Sequence, residues 1–404
     1  MIKRNLFISN NIQKKYLDKK YLNKLSKKFS KVFKNIIDET NNPKKTLNIL
    51  SQNFKFNFQK NDLQKFKKYK TIAIIGMGGS ILGTEAISCF LKSKIKKKIY
   101  FFDNLDSKKV LNFKKKKLSE ILFLVISKSG NTIETLSNFF ILNIIKKNAK
   151  NIILISENKN NLLLSLSKKF NLFYIQHNKY IGGRFSVLSE VGIVPSYLMD
   201  IDTAKLRFES KKFLKGPQKL FLKNSSIKLA CLLKKNKIND LIFINYSPQL
   251  EKFLFWCQQL IAESLGKKGR GFLPMISSAP KDHHSLLQLY LDGPKNKLFY
   301  IFSHEEKINE KLNTRKFDIE NYNLNNKTLE NIKFSQKAAL IKAFNKNKIP
   351  FREFKIKKAN EEVLGELFSY FILETVLIGN LVGINPYNQP AVEQVKVYTK
   401  EILN

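Results

Sequence analysis

Residues 121–136 read ILFLVISKSGNTIETL, and the fold turns on how this stretch is read. The apolar run ILFLVI suits a short strand buried on both faces. The residues after it change character: two hydroxyls, an ammonium, a glycine and another hydroxyl. Then IETLSNFFILNII returns to apolar residues at helical spacing. A strand, a polar turn and a helix start in that order make an anion site. N–H groups at a helix N-terminus point outward, and glycine lets the backbone approach a ligand closely. Ser127, Lys128, Ser129 and Thr132 add donors and one positive charge. Taken alone, the turn is explained as well by Ser129 or Asn131 capping the helix.

Working outward, strand-like runs alternate with helical ones. TIAIIG (71–76) precedes a glycine-rich turn and the helix-like TEAISCFLK. KKIYFFDN, ILFLVIS, NIILISEN and FNLFYIQ follow, with room between them for crossover helices. A second set runs through DLIFINYS (240–247), KLFYIFSH (297–304) and PFREFKIKK (350–358). Such alternation predicts parallel sheets flanked by helices, hence an α/β protein with two subdomains. KGPQK at 215–219 separates the two sets. The expected division is a polar, Lys-rich, mostly helical region 1–68, α/β units over 69–215 and 216–384, and a closing segment with a helix over 385–404. The stretch 363–384, VLGELFSYFILETVLIGNLVGI, is long enough to span a bilayer but carries Glu366, Glu374 and Asn380. Carboxylates are costly in lipid, so it reads as a buried helix of a protein with no membrane partner.

The bulk composition narrows the function classes. A chain of 404 residues buries a large core. Its formal charge of +41 raises the question of nucleic acid. The basic residues, however, are almost all Lys, spread from Lys3 to Lys400, while base-edge readout leans on Arg. No helix-turn-helix pattern is present, so no nucleic-acid partner is expected; the charge would steer anionic substrates instead. Cys89, Cys231 and Cys257 are widely spaced and odd in number, which argues against a disulfide framework and for a reducing, cytoplasmic setting. The N-terminus lacks the apolar core and cleavage site of a signal peptide. No His/Cys/carboxylate cluster has metal-ligand spacing, so neither metal nor cofactor is expected.

In open α/β sheets, ligands bind beyond the carboxyl ends of strands. Besides the opening stretch, GMGGSILG (76–83) is the turn to search. Gly76, Gly78, Gly79 and Gly83 do not fit G-x-G-x-x-G, and no Gly-Lys-Ser/Thr marks a P-loop. Ser80 in the turn suggests a contact to a sugar or phosphate group.

Four more segments stand out: GGRFSVLSEVGIVP (182–195), QQLIAESLGKKG (258–269), DHHSLLQLYLDG (282–293) and NPYNQPAVEQVK (385–396). With GMGGSILG and SKSGNTIET, and in the same order, they closely resemble the glucose-6-phosphate isomerase family over roughly residues 70 to 400. The resemblance implies two doubly wound sugar-isomerase (SIS-type) domains, in agreement with the alternation. It implies that Ser127, Lys128, Ser129 and Thr132 bind the phosphate, which answers the opening stretch with a sugar phosphate. It further implies substrate contacts by Gly79, Ser80, Gln259 and Gln389. Glu263 matches the catalytic base, Arg184 the arginine beside the reacting carbons, His284 the ring-opening histidine and Lys396 the C-terminal active-site lysine. A homodimer in which His284 reaches the partner's site is implied as well. The chain departs from the family in its short length and in Ala391, where Gly is more usual.

The residue types suit that chemistry. Moving a carbonyl from C1 to C2 requires removing a weakly acidic proton beside it and returning it one carbon away, which a carboxylate on one face can do. The enediolate oxyanion needs a fixed positive charge, and a guanidinium keeps its charge at any working pH. Ring opening moves a proton between O5 and O1, a task for histidine. The expected activity is therefore interconversion of glucose 6-phosphate and fructose 6-phosphate. A dual isomerase that also accepts mannose 6-phosphate is a second reading. A sugar-phosphate-binding regulator is a third, although it would have no use for a base.

Overall fold

The computed structural model describes residues 5–235, 237–306, 308–314 and 324–403. The chain opens with strand β1 (Leu6–Asn11), then a 23-residue helix, Lys19–Asn41. That helix is capped by Asp18, whose carboxylate accepts the Tyr21 N–H at 2.9 Å. It buries Leu25, Phe29, Val32, Phe33 and Ile36 along one stripe, as the 3.6-residue period dictates. The N-terminal region is thus helical over 19–41, as its pattern predicts, but it also supplies a strand that the pattern does not announce.

The next strands, β2 (Thr71–Gly76), β3 (Lys98–Phe102), β4 (Ile121–Ile126), β5 (Ile152–Glu157) and β6 (Phe173–His177), form one parallel sheet. Its order is β3-β2-β4-β5-β6. Every residue of β4 and β5 is buried, which is why ILFLVI runs apolar without alternation. The chain leaves β2 toward β3 and returns past it to β4, so the sheet reverses its winding between β2 and β4. Gly76 pairs with Ile126 in register, so the turns after these two strands lie side by side. The GMGGS and SKSGNT stretches therefore meet at the topological switch point, where such sheets open a crevice.

The second sheet contains β7 (Asp240–Asn245), β8 (Leu273–Ser278), β9 (Lys297–His304) and β10 (Phe351–Ile356), in the order β1-β10-β9-β7-β8. β1 runs antiparallel, paired along β10, whereas β7 to β10 pair in parallel. The segment LPMISS of β8 does not read as a strand because Pro274 lacks an N–H. It is tolerated there because β8 is an edge strand, with Leu273 and Met275 on the exposed side.

One large apolar core joins both sheets through the helices between them. At its centre, the 22-residue helix Glu361–Val382 is buried nearly all round, as predicted for 363–384. Its carboxylates are matched by cations: Glu366 with Lys212 at 2.9 Å, and Glu374 with the fully buried Arg352 at 2.8 Å. Arg352 also donates to Tyr300 Oη at 2.7 Å and to Asn10 Oδ1 at 2.6 Å, which ties β1 into the core. Among the described residues, no helix is long and apolar enough to cross a membrane.

Candidate active site

The opening turn folds into a hydroxyl cluster. Ser127 follows β4, and its Oγ lies 2.9 Å from Thr132 Oγ1 and 3.5 Å from Ser129 Oγ. Gly130 closes the turn with φ +69, and a Cβ there would sit 1.8 Å from Asn161 Oδ1, so only glycine fits. Thr132 is the N-cap of the helix Ile133–Ile141, yet its side chain makes no capping bond. The Asn131 side chain turns away and accepts the Leu162 N–H at 2.8 Å. Ser129 Oγ accepts the N–H of Asn131 at 3.2 Å. Neither residue caps this helix, so the capping explanation fails. Lys128 points to one side. Its Nζ donates to the Lys179 carbonyl at 2.9 Å and lies 3.5 Å from Glu157 Oε1. Burial pulls its pKa below the usual lysine value; Glu157 opposes this, and Lys159 and Arg184 add to it.

Across the switch point, the 3-10 turn Gly78–Ser80 rests on the turn Gly183–Leu188. A Cβ on Gly79 would lie 2.1 Å from the Gly183 carbonyl carbon and 2.4 Å from Arg184 N, so glycine is required for this backbone contact. The contact delivers Arg184, which is 1% exposed, to the centre of the site. Its Nε donates to Ser264 Oγ at 2.8 Å, and Nη1 to Glu263 Oε2 at 2.9 Å and Gln389 Oε1 at 2.7 Å. Nη2 donates to the carbonyls of Pro386 at 2.6 Å and Asn388 at 3.2 Å. Burial pulls the guanidinium below its usual pKa, and Glu263 pushes it back up.

Glu263 and Gln259 lie one turn apart on the helix Glu251–Leu265, and Gln259 Nε2 donates to Glu263 Oε1 at 2.9 Å. Gln259 Oε1 is buried beside the Gly78 backbone and has no hydrogen-bond partner among the described residues. A buried acceptor of this kind is costly until a donor arrives, which suits a substrate hydroxyl. The structure thus gathers Gly79, Arg184, Gln259, Glu263 and Gln389, with the hydroxyl cluster on the neighbouring strand end.

His284 and Lys396 lie apart from this group. His284 is exposed on the turn Lys281–His284, while its neighbour His283 accepts or donates a 2.8 Å bond with Tyr246 Oη. Lys396 stands on the exposed helix Pro390–Leu403, paired with Glu393 at 2.7 Å. Ala391 is the second residue of that helix and needs no positive φ, so the absence of glycine there is of no structural consequence.

Other residues that support the site do not stand out in the sequence. His177 Nε2 lies 3.1 Å from the Ile181 carbonyl, and Nδ1 lies 3.4 Å from the buried Glu190. This pair braces the loop leading to Arg184. Tyr387 Oη donates to Glu39 Oε2 at 2.6 Å, which ties the 385–389 segment to the N-terminal helix. Lys267 holds the same segment from another side. Pairing and bracing of this sort depend on which loops meet, which no local pattern encodes.

The doubly wound α/β fold thus sets a hydroxyl-lined turn beside a carboxylate–guanidinium pair, an arrangement that suits the phosphosugar isomerase class. The comparisons agree and go further. Residues 23–272 match the family described as phosphoglucose isomerase. The glucose-6-phosphate isomerase of Methanocaldococcus jannaschii is 35% identical over 83% of this chain and 85% of its own. That of Campylobacter jejuni is 31% identical over 89% and 90%. A crystal structure of a glucose-6-phosphate isomerase from Chlamydia trachomatis superposes with a TM-score of 0.80, at 18% identity, over 99% of this chain and 88% of that one. This chain belongs to the phosphoglucose isomerase family.

One prediction arises from the anion turn. Lys128→Ala and Thr132→Ala should raise KM for phosphorylated sugars more than they lower kcat, because the phosphate does not react. Unchanged substrate binding in both variants would place the phosphate elsewhere.

Proposed function

We infer that this protein interconverts D-glucose 6-phosphate and D-fructose 6-phosphate by ring opening and proton transfer through a cis-enediol. The observation that carries this reading is the Glu263–Arg184–Gln389 cluster beside the anion turn. The phosphate would sit on Ser127, Ser129 and Thr132 with the backbone N–H groups of their turn, and Lys128 would approach from the side. Gly79, Ser80 and Gln259 would hold the sugar hydroxyls.

In the opened aldose, Glu263 takes the C2 proton while electrons move to form C1=C2 and place negative charge on O1. Arg184 offsets that charge from a buried position, where such stabilisation is strong. The proton on O2 then moves to O1, the C2 carbonyl forms and Glu263 returns its proton to C1. One carboxylate on one face serves both steps. No step calls for a metal or a cofactor. We assign ring opening to His284 and Lys396. The exposure of His284 away from its own chain's cluster supports delivery to the partner's site in a homodimer. Mass measurement showing only monomer at assay concentration would overturn that assignment.

The wide spacing and odd number of the cysteines, with Cys231 and Cys257 buried, support a cytoplasmic location. There the reversible reaction would serve glycolysis in one direction and gluconeogenesis in the other. We place the unit boundary at 215/216, where the helix Gly216–Lys235 leads into β7; the N-terminal region 1–68 would precede the first unit and 385–404 would close the second.

The deciding experiment incubates the protein with fructose 6-phosphate in heavy water. A proton carried by Glu263 exchanges with solvent, so deuterium should appear at C2 of the glucose 6-phosphate formed. Product with negligible label under slow turnover would remove Glu263 as carrier, and no product would overturn the isomerase reading. Mannose 6-phosphate in the mixture would mark the dual isomerase.

A further inference from the structure

We propose that Lys267 is a positioning residue for this reaction, clamping the end of the Glu263 helix to the 385–389 segment and thereby fixing Gln389 and Arg184 about the base. The proposal rests on the isomerase reading above and adds a residue to it. Lys267 follows Glu263 by four residues, just past the end of the helix Glu251–Leu265. Its main chain is locked in a tight turn, with its N–H donating to the Arg270 carbonyl at 2.8 Å. The side chain then reaches across to the other segment. Nζ donates to the Asn385 carbonyl at 2.5 Å and to Asn388 Oδ1 at 3.2 Å.

The same short segment receives Arg184. Asn388 gives its side-chain oxygen to Lys267 and its carbonyl to Arg184, while Gln389, the next residue, shares Arg184 Nη1 with Glu263. Two cations from two different elements therefore grip one stretch of five residues, and that stretch carries a substrate-binding glutamine. Without Lys267 the segment keeps its bonds to Arg184, and through that side chain to Ser264 and Glu263, but loses its direct tie to the end of the helix that holds the base. A slip of about 1 Å in such a cluster is enough to cost on the order of 100-fold in rate.

The charged groups facing the ammonium are Arg184 and Glu263; Arg270, beside it in the turn, directs its guanidinium to the Val382 carbonyl. The Lys267 pKa is lowered to about 8: desolvation is the main cause, Arg184 adds to it and Glu263 opposes both. The sign follows directly. Below about pH 8 the ammonium is charged and the clamp is at full strength. As pH rises through that value the charge is lost, and a charge-assisted hydrogen bond becomes a neutral one.

The test measures kcat and KM with fructose 6-phosphate from pH 6 to 10. In the parent, kcat should fall roughly fivefold through an alkaline limb, the ratio expected when a charged hydrogen bond turns neutral. Lys267→Met should lower kcat about 10- to 100-fold with little change in KM, since the phosphate turn is untouched. Lys267→Arg should keep most of the parent's kcat and lose the limb, because a guanidinium does not titrate in this range. Asn388→Ala should lower kcat in the same direction, and its loss should not multiply with that of Lys267→Met in the double variant. Amide exchange over 385–389 should quicken in Lys267→Met. Should Lys267→Met fail to fold, Lys267→Arg and Asn388→Ala decide the matter. An active parent with Lys267→Met within twofold of its kcat, a limb kept in Lys267→Arg, or fully multiplying losses would overturn the clamp alone. A parent without turnover would overturn the isomerase reading and the clamp with it.

Discussion

Glu263→Gln is expected to lower turnover of fructose 6-phosphate by roughly 10²- to 10⁴-fold while leaving sugar-phosphate binding close to that of the parent. The substitution removes a proton acceptor and almost no volume. The Oε1 position can still accept from Gln259, and Arg184 keeps its other four bonds, so the scaffold of the cluster survives. What is lost is the ability to take and return a proton, together with the ion pair to Arg184. Turnover within about tenfold of the parent, with binding intact by calorimetry, would remove Glu263 from the role of base. The same variant also tests the subunit arrangement. Mixed with His284→Ala and allowed to exchange subunits, it should regain activity, because a hybrid dimer holds one site with both an intact Glu263 and an intact partner histidine. No recovery, with hybrid dimers confirmed by mass, would put both residues in one chain's site.

Much of this arrangement could be read before any coordinates. ILFLVI announces β4 because a strand buried on both faces has no polar alternation to hide it. The turn that follows keeps the residue types an anion needs. Arg184, Gln259, Glu263 and Gln389 could be named from the family resemblance of their segments, and the fold places their side chains in one hydrogen-bonded group. The elements that escaped notice are those whose local sequence carries no signal of their partners. LFISNN is a strand because β10 offers it an edge and Arg352 offers Asn10 a bond across 342 residues. Among the described residues LPMISS pairs only along β7, where its proline does no harm. Glu374 argued correctly against a membrane helix, but its counter-ion lies on β10, and sequence spacing could not identify it. Lys267 stood in plain sight within ESLGK. Among so many lysines, only the position of its Nζ against Asn385 and Asn388 sets it apart.

Arg184→Met should cost both activity and stability, and the two losses can be told apart with Arg184→Lys. The guanidinium is buried and makes five hydrogen bonds, to Ser264, Glu263, Gln389, Pro386 and Asn388. Removing it leaves a carboxylate and several oxygens without their donor. Breaking a buried ion pair from one side typically destabilises by about 3–5 kcal/mol. Glu263 is 29% exposed, so water can recover part of this, and the lower end of that range is expected by urea denaturation. Turnover should fall about 10²- to 10³-fold, the effect of losing one preorganised group on a developing oxyanion. Arg184→Lys separates charge from geometry. An ammonium restores the positive charge but offers at most three donors from one point, so it cannot span Ser264 on one side and the Pro386 carbonyl on the other. If charge alone mattered, Arg184→Lys would return turnover to within tenfold of the parent. The forked pattern of acceptors argues for the opposite outcome. Stability should be partly regained because Glu263 is again paired, whereas turnover should stay at least 30-fold down because Gln389 and the base are no longer held by one rigid plane.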